Sequence, residues 1–363
     1  MEYQIGDIVE SPQDALLQAD LEDISGRGLP LEQLRDAYVL VTGATGLVGS
    51  MLVKALACCN RMHGLGMKIM PMIRSEEKAR SVYGSLFDRA DIMPVQGDIL
   101  KPLAVANPVD YIFHGASVTS SKTFVTKPVE TIDIAITGTR NVLELAREKQ
   151  IRAMVYISSM EAFGITQPSL DSVKEEDLGY IDVMNVRSCY SESKRMCELM
   201  CASYAHEYGV PAKAARLAQT FGAGVSKEEG RVFAQFAKSA ISGNDIVLHT
   251  KGESTGNYCY TADAVAGLLT ILLKGKEGEV YTVANPAATT RIKDMAQMVA
   301  EQIAGGKIKV IFDIPEDALT YGYAPDVTLH LNADKLMGLG WKPVYGLQQM
   351  YERLIRSFHE QGI

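Results

Sequence analysis

Residues 39–49 constrain the fold of this chain more than any other segment. They read VLVTGATGLVG, an apolar strand pattern that runs into three glycines with the spacing Gly-x-x-Gly-x-x-Gly. In a strand–turn–helix unit, Gly43 permits the tight turn, Gly46 lets the backbone approach a pyrophosphate, and Gly49 lets the helix pack on the strand. The helix N-terminus attracts the anion. The segment therefore predicts a parallel-sheet fold that binds a dinucleotide.

The main chain of this turn is the expected binding surface for the pyrophosphate. A glycine-rich turn that binds no ligand is the alternative, and the strand before the turn and the strands predicted after it disfavour that alternative. The residues expected to contact the cofactor are Gly43, Thr45, Gly46, Leu47, Val48 and Gly49.

From residue 37 onward, apolar strands alternate with helical segments. Candidate strands cover residues 38–42, 68–73, 92–96, 111–114, 154–158 and 212–217. Helical segments begin near Leu47, Ser75, Val129, Ser191 and Arg231. This alternation predicts an α/β fold, a Rossmann doubly wound parallel sheet with a smaller mixed α/β C-terminal substrate lobe. Pro71 cannot donate a ladder hydrogen bond, so we expect a bulge in the second strand.

The length of 363 residues exceeds one typical domain. We expect an N-terminal helical appendage at 1–35 and an NAD(P)-binding Rossmann domain at 36–217. Residues 218–363 are expected to form mainly the substrate-binding lobe, with segments that return to the Rossmann core and a strand at 279–283. In the appendage, Ser11 and Pro12 have the types of a helix N-cap and first helical residue. The appendage either packs on the body or mediates assembly.

Charge and cysteine content exclude several classes of function. There are 44 Asp and Glu against 36 Lys and Arg, and the formal net charge of −8 disfavours nucleic-acid binding. The six cysteines lack metal-ligand spacing, so we expect reduced, buried thiols and no metal site. Cys197 and Cys201, one helical turn apart, leave a soft-metal site as the alternative. Without a signal-peptide pattern or a membrane-spanning stretch, a cytoplasmic enzyme with no membrane partner is expected.

The end of the second strand indicates which nicotinamide cofactor binds. A carboxylate there bonds the ribose hydroxyls, whereas a basic residue accommodates a 2′-phosphate. The strand is followed by Arg74 and Ser75, so we expect NAD or NADP and slightly favour NADP. In the alternative, Arg74 is solvated and NAD binds through other groups. Asp98, followed by Ile99, either reaches the adenine or forms a plain turn.

Tyr190 and Lys194 are predicted to share one face of a helix, because they are four residues apart. A tyrosine, with a reference pKa of about 10, is a poor base at neutral pH, and a neighbouring cation stabilises its phenolate. The pair can therefore exchange a proton with a substrate hydroxyl. The spacing is common on exposed helices and becomes specific only together with the glycine-rich turn.

Five motifs carry a resemblance to a known family. They are TGATGLVG at 42–49, SSMEAFG at 158–164, Tyr190-x-x-x-Lys194, VANP at 283–286 and LGWKP at 339–343. Over roughly residues 37–350 the chain resembles an extended short-chain dehydrogenase/reductase of the NAD-dependent epimerase/dehydratase family, whose members modify nucleotide sugars.

The resemblance implies a catalytic set. Tyr190 corresponds to the proton acceptor, Lys194 to the residue that holds the nicotinamide ribose and lowers the tyrosine pKa, and Ser159 to the hydroxyl that bonds the reacting oxygen. Glu161 corresponds to an acid that moves a proton in an elimination, and its alternative is an ordinary carboxylate at a helix start. By position, the resemblance also implies cofactor contacts at His114 and Ala116 and substrate contacts at Thr119 and Gln219. Arg231, a cation nearby in the sequence, is a further candidate substrate contact.

The chain departs from the family where phosphate binding is expected. Two arginines that grip the diphosphate in nucleotide-sugar members are replaced by Gly256 and Tyr323. Charge-assisted contacts to phosphate are strong, so other cations must replace them if a diphosphate binds. The candidates are Lys227, Arg231 and Lys238, each of which is otherwise a solvated cation.

The resemblance implies a function and an assembly. The expected function is that of an NAD(P)-dependent nucleotide-sugar lyase acting by transient sugar oxidation, of the 4,6-dehydratase or uronate decarboxylase type, because Glu161 is kept while Met160 replaces an aspartate. The alternatives are a nucleotide-sugar 4-epimerase, a net NADP-dependent reductase or dehydrogenase of a smaller polyol or hydroxy acid, and a non-catalytic cofactor-sensing module.

A homodimer is expected through apolar residues of the helices around 129–148 and 191–207, although burial within the subunit accounts equally well for some of them. These residues include Val142, Leu145, Met196, Leu199 and Met200.

Overall fold

A computed structural model describes residues 4–6, 8–167, 169–314 and 328–363. The strands are β1 (Tyr38–Thr42), β2 (Lys68–Ile73), β3 (Val95–Gln96), β4 (Tyr111–His114), β5 (Ala153–Ser159), β6 (Ala212–Leu217), β7 (Gln219–Phe221), β8 (Ile246–Leu248), β9 (Thr255–Gly256), β10 (Tyr258–Tyr260), β11 (Val280–Val283), β12 (Thr290–Arg291) and β13 (Val310–Phe312). The α-helices are α1 (Ala15–Gly26), α2 (Leu47–His63), α3 (Glu76–Tyr83), α4 (Ser121–Thr126), α5 (Pro128–Lys149), α6 (Ser188–Tyr208), α7 (Val232–Ser242), α8 (Thr261–Lys274), α9 (Ile292–Met298), α10 (Asp334–Met337) and α11 (Leu347–Glu360).

A parallel sheet of seven strands organises the molecule in the order β11-β6-β5-β4-β1-β2-β3. The order reverses between β1 and β4, which is the crevice where doubly wound sheets bind their ligands at the carboxyl ends of the strands. The predicted Rossmann fold is confirmed. β11 comes from the C-terminal part of the chain and pairs with β6, so the strand expected at 279–283 joins this sheet.

The strands are buried on both faces because helices cover each face, and their sequences are accordingly continuous apolar runs. On one face α5 packs on α6, with Val142, Leu143 and Cys201 in the core beneath them. On the other face α2 and α8 pack against the sheet. Outside the main sheet, the pairs β7–β10, β8–β13 and β9–β12 form small two-stranded sheets.

Pro71 lies in a regular strand, so the predicted bulge is wrong. The register of β1 and β2 continues unbroken to Val41 opposite Pro71. Ile69 exchanges backbone hydrogen bonds with Asp91 and Met93 ahead of β3, and the carbonyl oxygen of Ile73 accepts from Gly97 just after β3. Pro71, midway between Ile69 and Ile73, therefore points its nitrogen to the same side. The side of Pro71 that lacks an N–H donor therefore faces the edge strand of the sheet. That strand is regular only at β3, which is shorter than the strand predicted at 92–96.

The N-terminal segment packs on the body of the protein. Helix α1 contacts α2, α8 and α11. Its N-cap is Asp14, whose side chain accepts a hydrogen bond of 2.9 Å from the backbone nitrogen of Leu17. The prediction that Ser11 and Pro12 start this helix is wrong, since an oxygen acceptor nearer to the apolar run satisfies the first helical N–H groups.

All six cysteines are free and buried, as in a reduced protein. Within the described ranges no group of His, Cys, Asp and Glu could hold a metal ion. The thiol of Cys197 donates to the carbonyl oxygen of Ala135 at 3.3 Å, which makes it part of the packing between α5 and α6. A search of the same ranges finds no helix with the length and apolarity needed to cross a bilayer.

Candidate active site

The glycine-rich turn forms a tight cradle between β1 and α2. Gly43 has a φ of +68°, and a Cβ atom there would lie 2.6 Å from the carbonyl carbon of Gly115. A Cβ at Gly49 would lie 2.2 Å from the carbonyl oxygen of Gly43. Only glycine fits at these two positions. Gly46 is the N-cap of α2 and is exposed.

This cradle fits the pyrophosphate of a dinucleotide. Thr45, Leu47 and Val48 are half-buried around the exposed Gly46, so the main chain of the turn is accessible. No side chain of the described residues caps the N-terminus of α2. The free N–H groups and the positive end of the helix dipole therefore face the position that the sequence predicts for an anion.

A chain of buried hydrogen bonds links the cradle to α5 and α6. The backbone nitrogen of Ala116 donates to Oγ1 of Thr42 at 3.3 Å, and that hydroxyl lies 2.7 Å from Nδ1 of His114. Nε2 of His114 lies 3.1 Å from Oγ1 of Thr139, which in turn donates to Sγ of Cys197 at 3.2 Å. The side chain of His114 thus supports the cradle from beneath.

Burial sets the charge of His114, and its hydrogen bonds set the tautomer. Desolvation, helped by the charge of Lys194, lowers the pKa of His114 to about 3, so the ring is neutral. Because the hydroxyl of Thr139 gives its proton to Sγ of Cys197, it accepts from Nε2–H of His114, and the unprotonated Nδ1 therefore accepts from the hydroxyl of Thr42. The hydrogen bonds therefore run in one direction.

The residues after β2 and β3 lie at the adenosine side of the predicted cofactor site. Arg74 is exposed, and Ser75 is the N-cap of α3, where Oγ accepts from the backbone nitrogen of Lys78 at 3.2 Å. Oδ1 of Asp98 accepts from the backbone nitrogen of Leu100 at 3.0 Å, which is the geometry of an Asx turn. Ile99 is buried and packs against Gly138 of α5.

Tyr190, Lys194 and Ser159 come together at the carboxyl end of β5. Burial raises the pKa of Tyr190 to about 12, against the opposing effect of its hydrogen bond with Ser159. Nζ of Lys194 donates to the carbonyl oxygen of Ile157 at 2.8 Å and lies 5.6 Å from the centroid of the Tyr190 ring. Burial lowers the pKa of Lys194 to about 8. The ring of Phe124 stacks on Tyr190 with centroids 4.3 Å apart.

Glu161 stands beside this set in a network that joins β5 to α6. Ser159 caps the 3₁₀ turn Met160–Phe163 by accepting from the backbone nitrogen of Glu161 at 3.2 Å. The carboxylate of Glu161 accepts from both terminal nitrogens of Arg187, at 3.0 and 3.3 Å, and from Oγ of Ser191 at 3.1 Å. Its negative charge raises the pKa of Tyr190, and the charge of Arg187 lowers it.

The match to a family model decides the family. The model for the NAD dependent epimerase/dehydratase family matches residues 39–284, more than half of the chain. This chain belongs to that family. The resemblance carried by the sequence motifs is confirmed.

Curated relatives of this epimerase/dehydratase family member include decarboxylases. UDP-glucuronic acid decarboxylase 1 of Xenopus tropicalis is 28% identical over 324 residues, which cover 89% of this chain and 72% of the relative. UDP-glucuronic acid decarboxylase 6 of Arabidopsis thaliana is 29% identical over 312 residues, which cover 86% of this chain and 85% of the relative.

Solved structures share the fold of this family member. UDP-glucose 4-epimerase of Thermotoga maritima superposes with a TM-score of 0.74 at 19% identity, covering 89% of this chain and 99% of that one. A dTDP-glucose 4,6-dehydratase of Streptomyces venezuelae, whose structure contains NAD, superposes with a TM-score of 0.73 at 19% identity, covering 89% and 97%. At this level of identity the likeness establishes the fold.

The predicted substrate contacts lie at several places around the epimerase/dehydratase site. Thr119 is exposed in the loop after β4, and Gln219 is half-buried at the start of β7. Arg231, the N-cap of α7, pairs with Glu229 at 2.7 Å and is near enough to lower the pKa of Tyr190. Of the three candidate cations, Arg231 is thus the one whose charge acts on the pKa of Tyr190.

The other positions considered for phosphate binding are Lys227, Lys238 and Gly256, and each contacts other groups of the protein. Nζ of Lys227 lies 3.4 Å from the carbonyl oxygen of Gln361, and Nζ of Lys238 lies 2.8 Å from that of Glu229. At Gly256 a Cβ atom would lie 2.3 Å from the hydroxyl oxygen of Tyr258, so an arginine cannot occupy this position without moving that ring. Tyr323 lies outside the described residues.

Sequence reasoning missed Arg187. Its position three residues before Tyr190, just ahead of α6, indicates that it lies near the site, but no local pattern encodes its contact with Glu161. Two neighbouring contacts were also missed. Oγ of Ser158 donates to Glu198 at 2.5 Å, and Arg216 donates to the same carboxylate at 2.7 and 3.0 Å. They bind α6 to β5 and β6 and hold the helix that carries Tyr190.

Proposed function

We propose that this chain is a nucleotide-sugar lyase that uses a bound nicotinamide dinucleotide and decarboxylates a nucleotide-linked uronic acid. The observation that carries the proposal is the carboxylate of Glu161 beside Ser159, Tyr190 and Lys194, an acid next to a proton-transfer centre. The relatives named UDP-glucuronic acid decarboxylases support decarboxylation over 4,6-dehydration and make a UDP sugar the first candidate substrate.

The protein's own groups manage the proton of a substrate hydroxyl. A nicotinamide dinucleotide, when bound, supplies the acceptor and later the donor of a hydride at the sugar carbon. Burial holds the pKa of Tyr190 at about 12, so its phenol is protonated at rest. It accepts the substrate proton as the phenolate, after its own proton has left to solvent, and the Lys194 ammonium beside the ring is the charge that we assign to stabilising this phenolate. Ser159 is placed to orient the substrate oxygen, since its hydroxyl hydrogen-bonds Tyr190.

Oxidation beside the carbon that carries the carboxylate creates a β-keto acid. The bond between that carbon and the carboxylate then breaks, its electron pair moves into the ketone as an enolate, and neutral CO₂ leaves. One proton must be added to the same carbon before the ketone is reduced again. Glu161, hydrogen-bonded to Ser191, is the acid that we assign to this proton transfer.

The choice between NAD and NADP belongs to this proposal. Neighbouring structures contain NAD, and the family is described as NAD dependent. The exposed Arg74 after β2 supports NADP, because its guanidinium is available for a 2′-phosphate. The identity of the cofactor is measured by denaturing the purified protein and weighing the released nucleotide by mass spectrometry.

One experiment tests the reaction. The purified protein with added NAD or NADP is incubated with UDP-glucuronate, UDP-glucose and dTDP-glucose, and the products are weighed. We expect loss of CO₂ from UDP-glucuronate, with no net change in cofactor absorbance. Loss of water from a hexose identifies a dehydratase, an isomer of equal mass an epimerase, and accumulating reduced cofactor a net dehydrogenase. Each of these outcomes, or no reaction with any substrate, contradicts decarboxylation.

We further infer a homodimer through α5 and α6. Val142 and Leu145 do not support it, because both are buried in the subunit's own core. The support comes from apolar side chains that remain exposed on these helices: Val129, Ile132, Met196 and Leu199. Light scattering that gives a monomer at micromolar concentration contradicts this inference.

A further inference from the structure

Arg187 and Glu161 form an ion pair at the edge of the candidate active site. Arg187 precedes α6 by one residue and Tyr190 by three. Its two terminal nitrogens donate to the two oxygens of Glu161 at 3.0 and 3.3 Å, the paired geometry in which a guanidinium grips a carboxylate.

This pair differs from the other arginine contacts around the site. Arg216 and Glu198 keep only 3% and 11% of their side-chain surface exposed, and Arg195 donates to three backbone carbonyls, so both arginines fix the fold. The side chains of Arg187 and Glu161 keep 35% and 29% of their surface exposed. Among the described residues, Glu161 is the hydrogen-bonded partner of the Arg187 guanidinium.

If the ion pair separates, both side chains keep another contact in the site. Glu161 retains the hydrogen bond from Ser191 at 3.1 Å. The guanidinium of Arg187 lies 5.9 Å from the centroid of the Phe124 ring, the same ring that stacks on Tyr190. An anion that meets Arg187 over this apolar face is therefore held close to the reacting phenol.

We propose that Arg187 is a specificity-determining residue that exchanges Glu161 for the carboxylate of a uronic acid substrate. The inference rests on the proposed decarboxylation, and it names the group that selects the acid over a neutral sugar. A planar guanidinium binds either carboxylate with the same fork geometry, whereas a hydroxymethyl group offers it no charge. When the carbon–carbon bond breaks and neutral CO₂ leaves, the competing anion is gone, and Arg187 returns to Glu161.

The test compares the binding of an acidic and a neutral nucleotide sugar. Titration calorimetry on the protein loaded with its dinucleotide gives the Kd of UDP-glucuronate and of UDP-glucose, before and after Arg187→Gln. We expect the wild-type protein to bind UDP-glucuronate more tightly than UDP-glucose. The substitution weakens UDP-glucuronate binding by about tenfold or more, the usual worth of a charge-assisted contact, and changes UDP-glucose binding by less than about twofold.

Two further variants keep the proposal falsifiable. Glu161→Gln removes the competing anion, so the preference for UDP-glucuronate is retained or increased. Arg231→Gln tests the other cation that acts on Tyr190. The proposal is overturned if Arg187→Gln keeps the preference, if the preference is lost in Arg231→Gln instead, or if the unchanged protein does not bind UDP-glucuronate more tightly. A fall in kcat with both Kd values unchanged shows that Arg187 only positions Glu161. If the wild-type protein prefers UDP-glucuronate but releases no CO₂ from it, the decarboxylation is contradicted, and Arg187 remains a group that binds the acid.

Discussion

Individual side chains in this site have their protonation states set by burial. Desolvation acts in opposite directions on an acid and a base: it raises the pKa of Tyr190 to about 12 and lowers that of Lys194 to about 8. At neutral pH the phenol is thus protonated and uncharged, and the lysine is mostly in its ammonium form. Under the proposed function, the protonated phenol is the group that meets the substrate hydroxyl, and the ammonium is the charge that stabilises its phenolate.

Replacement of Tyr190 by phenylalanine tests the proton acceptor. Tyr190→Phe keeps the stacking on Phe124 and removes the phenolic proton path, so we expect kcat to fall by about 10³-fold, within the range of general acid–base catalysis. Dinucleotide binding, measured by fluorescence titration, is expected to remain within about threefold. Turnover that survives in Tyr190→Phe contradicts the assigned role.

The charge of Lys194 predicts an alkaline limit to activity. The ammonium is the active form, so kcat/KM is expected to decline as the pH rises through about 8, the pKa to which burial lowers this lysine. No loss is expected from this group on the acid side. Lys194→Arg keeps its charge across this range, because arginine does not titrate in proteins, and we expect its slower reaction to lack the decline near pH 8. A decline at the same pH in both proteins assigns the limit to another group.

How far the site could be predicted depends on whether a residue's partner is near in sequence. The glycine-rich turn, Tyr190 and Lys194 follow from spacing within one element, and the structure brings Tyr190 and Lys194 together with Ser159. The pairing of Arg187 with Glu161 joins the end of β5 to the start of α6, and no local pattern encodes that contact. Phe124 under Tyr190 was missed for the same reason.

At the scale of elements, one run of hydrogen bonds holds the cofactor cradle against the helix pair. It passes from Thr42 on β1 through His114 on β4 to Thr139 on α5 and Cys197 on α6. Each group in it is buried and donates in the same direction, so the loss of one member leaves a neighbour unsatisfied. The run therefore couples the position of the cradle to the helix that carries Tyr190.

Thr139→Val tests this coupling. Valine has nearly the same shape but cannot accept from His114, and an unsatisfied buried donor costs about 1–3 kcal/mol, which is the expected loss in the free energy of unfolding measured in urea. Weaker dinucleotide binding is expected as well. Thr270→Val is the matched control, because this buried threonine on α8 donates to the carbonyl oxygen of Ala266 within its own helix turn. Equal effects of the two substitutions contradict the coupling.

The elements themselves were predicted where the hydrophobic pattern is strong. The order of strands and helices through β6 follows from the alternation of apolar runs, and the doubly wound arrangement follows from that order. The partner of β11 and the short β3 were beyond reach, because a strand's neighbours are chosen by long-range packing. The start of α1 at Asp14 was missed because Ser11 and Pro12 offer an equally good local signal.

The whole molecule is tied together by the N-terminal segment, which lies outside the region matched by the family model. Asp14 accepts from Ser357 of α11 at 2.5 Å, Asp20 pairs with Arg353 of α11, and Arg27 pairs with Asp263 of α8 at 2.7 Å. Glu10 binds two arginines of the Rossmann part. The segment thus connects α2 and the residues ahead of β3 to the C-terminal helix α11 through buried carboxylates.

Glu10 provides the sharpest test of this connection. Its carboxylate is buried and pairs with Arg61 at 2.9 Å and with Arg89 at 2.7 Å. Burial alone would raise its pKa, but hydrogen bonds from Arg61, Gln18 and Arg89 outweigh burial and lower the pKa to about 2. A lowered pKa in the folded state means that the stabilisation is fully present above the unfolded value of 4.5 and is lost as the pH falls from there toward about 2.

We therefore expect Glu10→Gln to lower the free energy of unfolding at pH 7 by about 3 kcal/mol, because the charge of buried Arg89 loses one of its two carboxylate partners. The difference between the two proteins, measured by urea unfolding, stays constant down to about pH 5 and shrinks below it, because Glu10 of the unfolded chain then binds a proton while the folded state keeps this carboxylate ionised down to about pH 2. Glu32→Gln removes an exposed partner of Arg35 and serves as the control that leaves the stability unchanged. A deficit in Glu10→Gln that persists undiminished at pH 3 attributes the effect to packing, and a deficit equal to that of Glu32→Gln shows that the segment is not fastened by this charge.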